Sequence, residues 1–219
     1  MNPIDAPSSS NASPAPDDSE GFNPYSAPSA PVDVQAQVIS DQWLYVVAPR
    51  KFLPLIVLTF GLYSIYWFYK NWALLNVHHT FCWPVPRAIF SIFVTHSLFG
   101  EVDGLLRKRG VDYRWSPGSL ATTYVIAVVA SHILDRISGL PDASPTLVLF
   151  SLATFLPMIG ALYSAQRAIN TAEGDPAGDT NSEITAANIV RMLLGTLFWL
   201  MVLLGLGMLF VDPSFMSEV

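Results

Sequence analysis

Charge is scarce in this chain. Only 13% of its 219 residues are Asp, Glu, Lys or Arg, against about a quarter in a soluble domain, and the mean hydropathy is +0.41. That shortfall points to lipid as the solvent for much of the chain. Cysteine is almost missing, and with Cys82 alone no internal disulfide can form. Residues 1–41 contain six acids (Asp5, Asp17, Asp18, Glu20, Asp33 and Asp41) and no Lys or Arg, which leaves eleven acids and eleven bases in the remainder. With an acidic leader and a formally neutral remainder, nucleic-acid binding, which needs clustered Lys and Arg against phosphates, is not expected. The N-terminus lacks the basic start and short apolar run of a signal peptide, so none is expected there. GxSxG, P-loop and HExxH patterns are absent too, and an enzyme is the class with least support.

What is present divides the chain in three. Residues 1–40 are rich in Pro, Ser and Ala and acidic, too poor in apolar surface to offset the entropy of ordering. They are expected to be a disordered leader, with Phe22 and Tyr25 as its only aromatic handles for a partner. Residues 41–212 carry the apolar segments, and 213–219 form a short tail. The expected fold is all-α, a polytopic membrane bundle of four to five membrane-embedded helices.

The first segment runs from Pro49 or Arg50 to Trp72. Its uncharged stretch, Phe52 to Tyr69, would measure about 27 Å as one helix, close to the roughly 30 Å of a bilayer core. Pro84 and Pro86 open the second, over about 86–109, as first-turn prolines do. There His96, Gly100, Asp103, Gly104 and Arg107 share one face, with Leu98, Phe99, Val102, Leu105 and Leu106 opposite. Glu101 and Asp103 would each cost about 2.5–3.5 kcal/mol at the midplane, so this segment either crosses with its acids near an interface or dips in without crossing. Ser116-Pro117 opens the third, whose core ends at Asp135-Arg136, and Ser144-Pro145 opens the fourth, over 146–166, with a kink expected at Pro157. Thr180 and Glu183 are placed for a capping box on the fifth, whose uncharged run spans Met192 to Val211.

Loop charge sets orientation. The first two segments must cross together or not at all, because otherwise Arg107, Lys108, Arg109 and Arg114 lie outside. Crossing, which makes five spans, is preferred on length. A re-entrant pair is the alternative. Either way the N-terminus is cytoplasmic and the C-terminus periplasmic.

The stretch TFGLYSIYWFYKNW, Thr59 to Trp72, with RKFL before it, resembles a signature of small bacterial inner-membrane proteins of unknown function. PRAIFSIF, LYSAQRAIN and LLGTLFWLMVLLGLG are similar to further pieces of that family. The resemblance implies an inner-membrane location and brings no activity, substrate or catalytic residue.

Candidate residues fall into three groups. His96, Asp103 and Arg107 share a helical face, as do His132, Asp135 and Arg136. Either group would suit a proton or ion path, since ionisable groups at membrane depth are functional candidates. The plainer expectation is an i,i+4 pair facing cytoplasm for the first and a snorkelling helix end for the second. Thr59, Gly61, Tyr63, Tyr66, Trp67 and Tyr69 form the third group, expected to anchor at the interface rather than bind a lipid headgroup or partner helix. Gly61 with Ser64, and Gly160 with Ser164, would let helices approach closely. His78, His79 and Cys82 are too few for a metal site, Asp175, Asp179, Asn181 and Glu183 miss calcium-loop spacing, and two histidines alone do not argue for haem. No cofactor is expected. The partners expected are the bilayer and a membrane protein or second copy, in an accessory or interaction role, with a small transporter or channel as the alternative.

Overall fold

Eighteen uncharged residues in a row fit one membrane helix by composition, but residues 52–69 do not make one. The structure, a computed structural model, describes residues 42–78, 83–140, 144 and 146–210. Its first helix, α1 (Pro49–Leu58), ends after 10 residues, and α2 (Tyr63–His78) begins after a gap of four residues. Between them Phe60 and Gly61 both take left-handed backbone, at φ 53° and 78°. The Gly61 amide reaches back to the Ile56 carbonyl at 2.9 Å, the long bond of a Schellman-type helix end. Thr59 serves both helices, since its hydroxyl donates to Leu55 O at 2.6 Å and accepts from the Tyr63 amide at 3.0 Å. The chain therefore doubles back. Phe52 of α1 meets the rings of Tyr63 and Trp67 on α2, and Trp43 stacks on His78 at 3.9 Å. The single first segment is thus corrected to a hairpin whose arms, about 15 and 24 Å long, are each shorter than a bilayer core.

The second segment also breaks. Pro84 does start a helix, α3 (Pro84–Ile89), but Phe90 turns the chain before α4 (Ser91–Lys108). The face expected inward on α4 is inward, with Leu98, Phe99, Val102, Leu105 and Leu106 all buried. α5 (Pro117–Ser138) begins at the proline as expected, although the Ser116 side chain makes no capping bond. Pro157 acts three residues upstream of itself. It lacks the amide that would bond the fourth carbonyl back, and the helix breaks at Thr154 into α6 (Thr146–Ala153) and α7 (Phe155–Ala172). The capping box does not form, because Thr180 instead donates to Asp175 within the turn that holds a 3₁₀ helix (Asp179–Asn181). α8 (Ala186–Phe210) closes the described chain.

Among the described residues three stretches are long and apolar enough to cross a membrane: Pro117–Ser138, Thr146–Ala172 and Ala186–Met208. The hairpin tip docks among them. Phe60 stacks on Phe155 at 5.5 Å and meets Phe198 and Trp199. Phe198 lies twelve residues into α8, about 18 Å along its axis. Irregular backbone is tolerated at membrane depth only where its polar groups are satisfied inside the protein. Here the Trp199 indole donates to the Val57 carbonyl at 2.7 Å, and Gly195 lets the α8 backbone ride directly over the turn. A Cβ on Gly195 would sit 1.9 Å from Leu58 O.

Candidate functional site

The most heavily bonded part of the fold is an extended strap, residues 42–48, laid across the end of the bundle where α2, α4 and α7 finish. It pairs with no strand among the described residues, and side chains supply the hydrogen bonds that a sheet would. The Asn170 amide brackets one residue, accepting from Val47 N at 3.3 Å and donating to Val47 O at 2.9 Å. Gln166 donates to Tyr45 O at 3.1 Å and to Asn170 Oδ1 at 2.7 Å, and accepts from the Trp67 indole. Asn71 accepts from Tyr45 N at 3.0 Å, and Asn181 donates to Val46 O at 2.8 Å. Glu173 takes the amides of Trp43 and Leu44 on one oxygen, at 3.0 and 2.7 Å, and pairs with Arg109 at 3.0 Å through the other.

This lattice decides whether the strap is held. Burying Leu44, Val46 and Val47 contributes about 1.5–3 kcal/mol each. Ordering seven residues costs about 1–2 kcal/mol apiece, a total of the same order, so the side-chain bonds tip a near balance. Gly178, at φ 71°, completes the seat, because a Cβ there would lie 2.5 Å from Ala48 N. Burial pushes the Glu173 carboxyl above its usual range, against the opposing pull of Arg109 and the two amides. Burial also pushes the Lys51 ammonium down, where it donates to Asn181 Oδ1 at 2.6 Å. Asp175 moves the other way. Its partial burial is outweighed by hydrogen bonds from Thr180, Asp179 and Gly178, which hold it below the usual carboxylate range.

The aromatic motif takes part in this construction. Trp67 is fully buried and bonded to α7, and Tyr63 is buried. Tyr66 packs against Tyr45 and under the Arg191 guanidinium. Only Tyr66 and Tyr69 are exposed, at 37% and 39%. Gly61 provides a left-handed turn residue packed under Phe155 and Met158, whereas Gly160 has open space beside it and makes no close helix contact.

The polar residues of the second and third segments stay apart. Asp103 pairs with Arg107 at 2.7 Å and accepts from Trp115 at 3.1 Å, and the Arg107 side chain is 81% exposed. His96 bonds to Thr122 on an exposed face at 3.0 Å. That group is a surface ion pair and a surface histidine. His132 and Asp135 instead line a cavity of about 350 Å³ between α5, α6 and α7, which Phe60 at the hairpin tip and Val202 of α8 help to close. Asp135 takes its hydrogen bond from Ser151, not from His132, and Ser151 lies 3.4 Å from the Ser131 hydroxyl. Arg136 is exposed at the helix end.

Among the described residues no group of three or more His, Cys, Asp or Glu side chains could hold a metal. His79, Cys82, Phe22 and Tyr25 lie outside the described residues, as do the leader 1–40 and the tail 213–219. Sequence reasoning missed the strap and its clasp. The available signal was Gln166, Asn170 and Glu173, spaced i, i+4 and i+7 on one helix face. No family model, curated protein or solved structure matches the chain.

Proposed function

We propose that this chain is a multi-pass protein of a bacterial inner membrane, working as an accessory or interaction protein with no chemistry of its own. The resemblance of TFGLYSIYWFYKNW to small inner-membrane proteins supports the location. Charge supports the orientation. Arg50 and Lys51 bond to the turn that seats the strap, Lys108 lies over Trp43 and Arg109 pairs with Glu173, whereas Arg136 lies at the far end of α5. That distribution supports a cytoplasmic strap end, and an odd number of crossings leaves the C-terminus periplasmic. The hairpin enters from the cytoplasmic side and turns back at Phe60-Gly61. Three crossings, rather than five, then suffice.

One observation carries the interaction role. The most apolar stretch of α8 has no buried residue, and the helix is held against the rest mainly where Gly195 and Trp199 meet the hairpin turn. Its other faces are left for lipid and for a membrane protein or second copy. Single cysteines at Leu193, Leu200 and Leu204 in a Cys82→Ser background test this by cross-linking in native membranes. A product of fixed mass from one face of α8 is expected. Uniform failure at all three positions would leave lipid as the only neighbour and overturn the interaction role.

A small transporter or channel is the second reading, favoured by the cavity at Asp135. With the Asp103–Arg107 pair on the surface, such a path would rest on the third segment alone. Asp135→Asn should then abolish transport while leaving the amount in the membrane unchanged.

A further inference from the structure

We propose that the cavity beside Asp135 binds an ammonium group, carried either by a small alkylamine or by a lipid headgroup. The inference goes beyond the interaction role and does not depend on it.

The cavity pairs one acid with hydroxyls and aromatic rings. Among the described residues Asp135 is the only charged one lining it, and no described cation pairs with that carboxylate, although Arg136 is its neighbour in sequence. A carboxylate at the membrane edge gains strongly from an opposite charge. Ser151 fixes one carboxylate oxygen by donating to it, which leaves the second for a ligand N–H. The Ser131 hydroxyl and the His132 imidazole add acceptor capacity on the same wall. Opposite them, Phe60 and Phe155 stack at 5.5 Å, offering rings of the kind that attract ammonium ions and apolar surface for an alkyl body.

Other ligands fit worse. An anion would meet the carboxylate with no Lys or Arg in the lining. Calcium takes six to eight oxygens, roughly, and a lone carboxylate with two serines falls well short. The volume, about 350 Å³, lies at the small end of small-molecule sites. Phe60, held at the hairpin tip by Phe155, Phe198 and Trp199, closes the side toward the strap end, so the ligand enters from the end that carries Arg136.

The test uses the full chain in nanodiscs of phosphatidylcholine, with the thermal unfolding midpoint as readout and n-butylammonium as probe. A ligand that binds only the folded state stabilises it by RT ln(1 + [L]/Kd), so the midpoint climbs with ligand concentration. The midpoint should rise with n-butylammonium and not with n-butanol, and Asp135→Asn should weaken the apparent affinity about 10- to 100-fold. Leu152→Trp, which fills the cavity and keeps the carboxylate, should also abolish the response, and it decides the matter if Asp135→Asn does not accumulate. Doping the discs with phosphatidylethanolamine separates the sources. Stabilisation by that lipid that is lost in the variants, with no response to the free amine, assigns the site to a headgroup. Equal responses of wild type and both variants, or butanol acting as well as the amine, would overturn the proposal.

Discussion

Asn170 on α7 holds the backbone N–H and C=O of Val47 together, donating through Nδ2 at 2.9 Å and accepting through Oδ1 at 3.3 Å. The two residues are 123 positions apart, and both are fully buried. Asn170→Ala therefore orphans a donor and an acceptor with no water at hand, at about 1–3 kcal/mol for each group. The expected result is a clearly lower unfolding midpoint in detergent. Asn170→Asp, which sets a carboxylate oxygen against the Val47 carbonyl in a buried site, should be at least as destabilising at neutral pH.

Two glycines predict opposite outcomes for one substitution. Gly195→Ala places a methyl 1.9 Å from the Leu58 carbonyl, so α8 must leave the hairpin or the hairpin must move. Loss of the Trp199–Val57 bond should follow, seen as a shift in tryptophan fluorescence together with lower stability. Gly160→Ala meets nothing within 4 Å and should be neutral or stabilising by about 0.5–1 kcal/mol, the ordinary helix preference for Ala.

How much of this was legible beforehand follows from what each signal measures. An uncharged run records composition, and composition is the same whether 52–69 is straight or folded in two. The turn itself was hidden because Phe60 takes a left-handed conformation that costs a non-glycine residue about 1–2 kcal/mol, which only the surrounding rings of Phe155, Phe198 and Trp199 offset. The spanning stretches of α5 and α8 and the buried face of α4 were legible because length and period are local. The strap was not. Its partners Asn71, Gln166, Asn170, Glu173 and Asn181 come from distant positions, and an Asn or Gln does not announce whether it meets water or backbone. Of the candidate polar groups, spacing put Asp103 and Arg107 together correctly but had no means of seeing that Asp135 would face Ser151 from a different helix.

Glu173 gives the clasp a pH dependence with a definite sign. Its folded-state value lies above the ordinary 4.5, so the folded chain holds this proton more tightly than the unfolded one. That contribution is complete below about 4.5 and is lost as pH rises through the raised value. Unfolding midpoints from pH 4.5 upward should decline more in wild type than in Glu173→Gln, which keeps an oxygen for the Trp43 and Leu44 amides and does not titrate. Parallel profiles for the two proteins would contradict this.

The re-entrant hairpin is the claim on which topology, strap and cavity all depend, and one labelling experiment reaches it directly. Val77 is exposed beside His78 at the strap end, and Leu140 is exposed at the opposite end. Each is replaced by cysteine in a Cys82→Ser background and treated with a membrane-impermeant maleimide in intact spheroplasts. The hairpin predicts that Leu140→Cys labels readily and that Val77→Cys stays protected until the membrane is opened. Ready labelling of Val77→Cys in intact spheroplasts would mean that the first segment crosses the bilayer, and the account of the hairpin would fail.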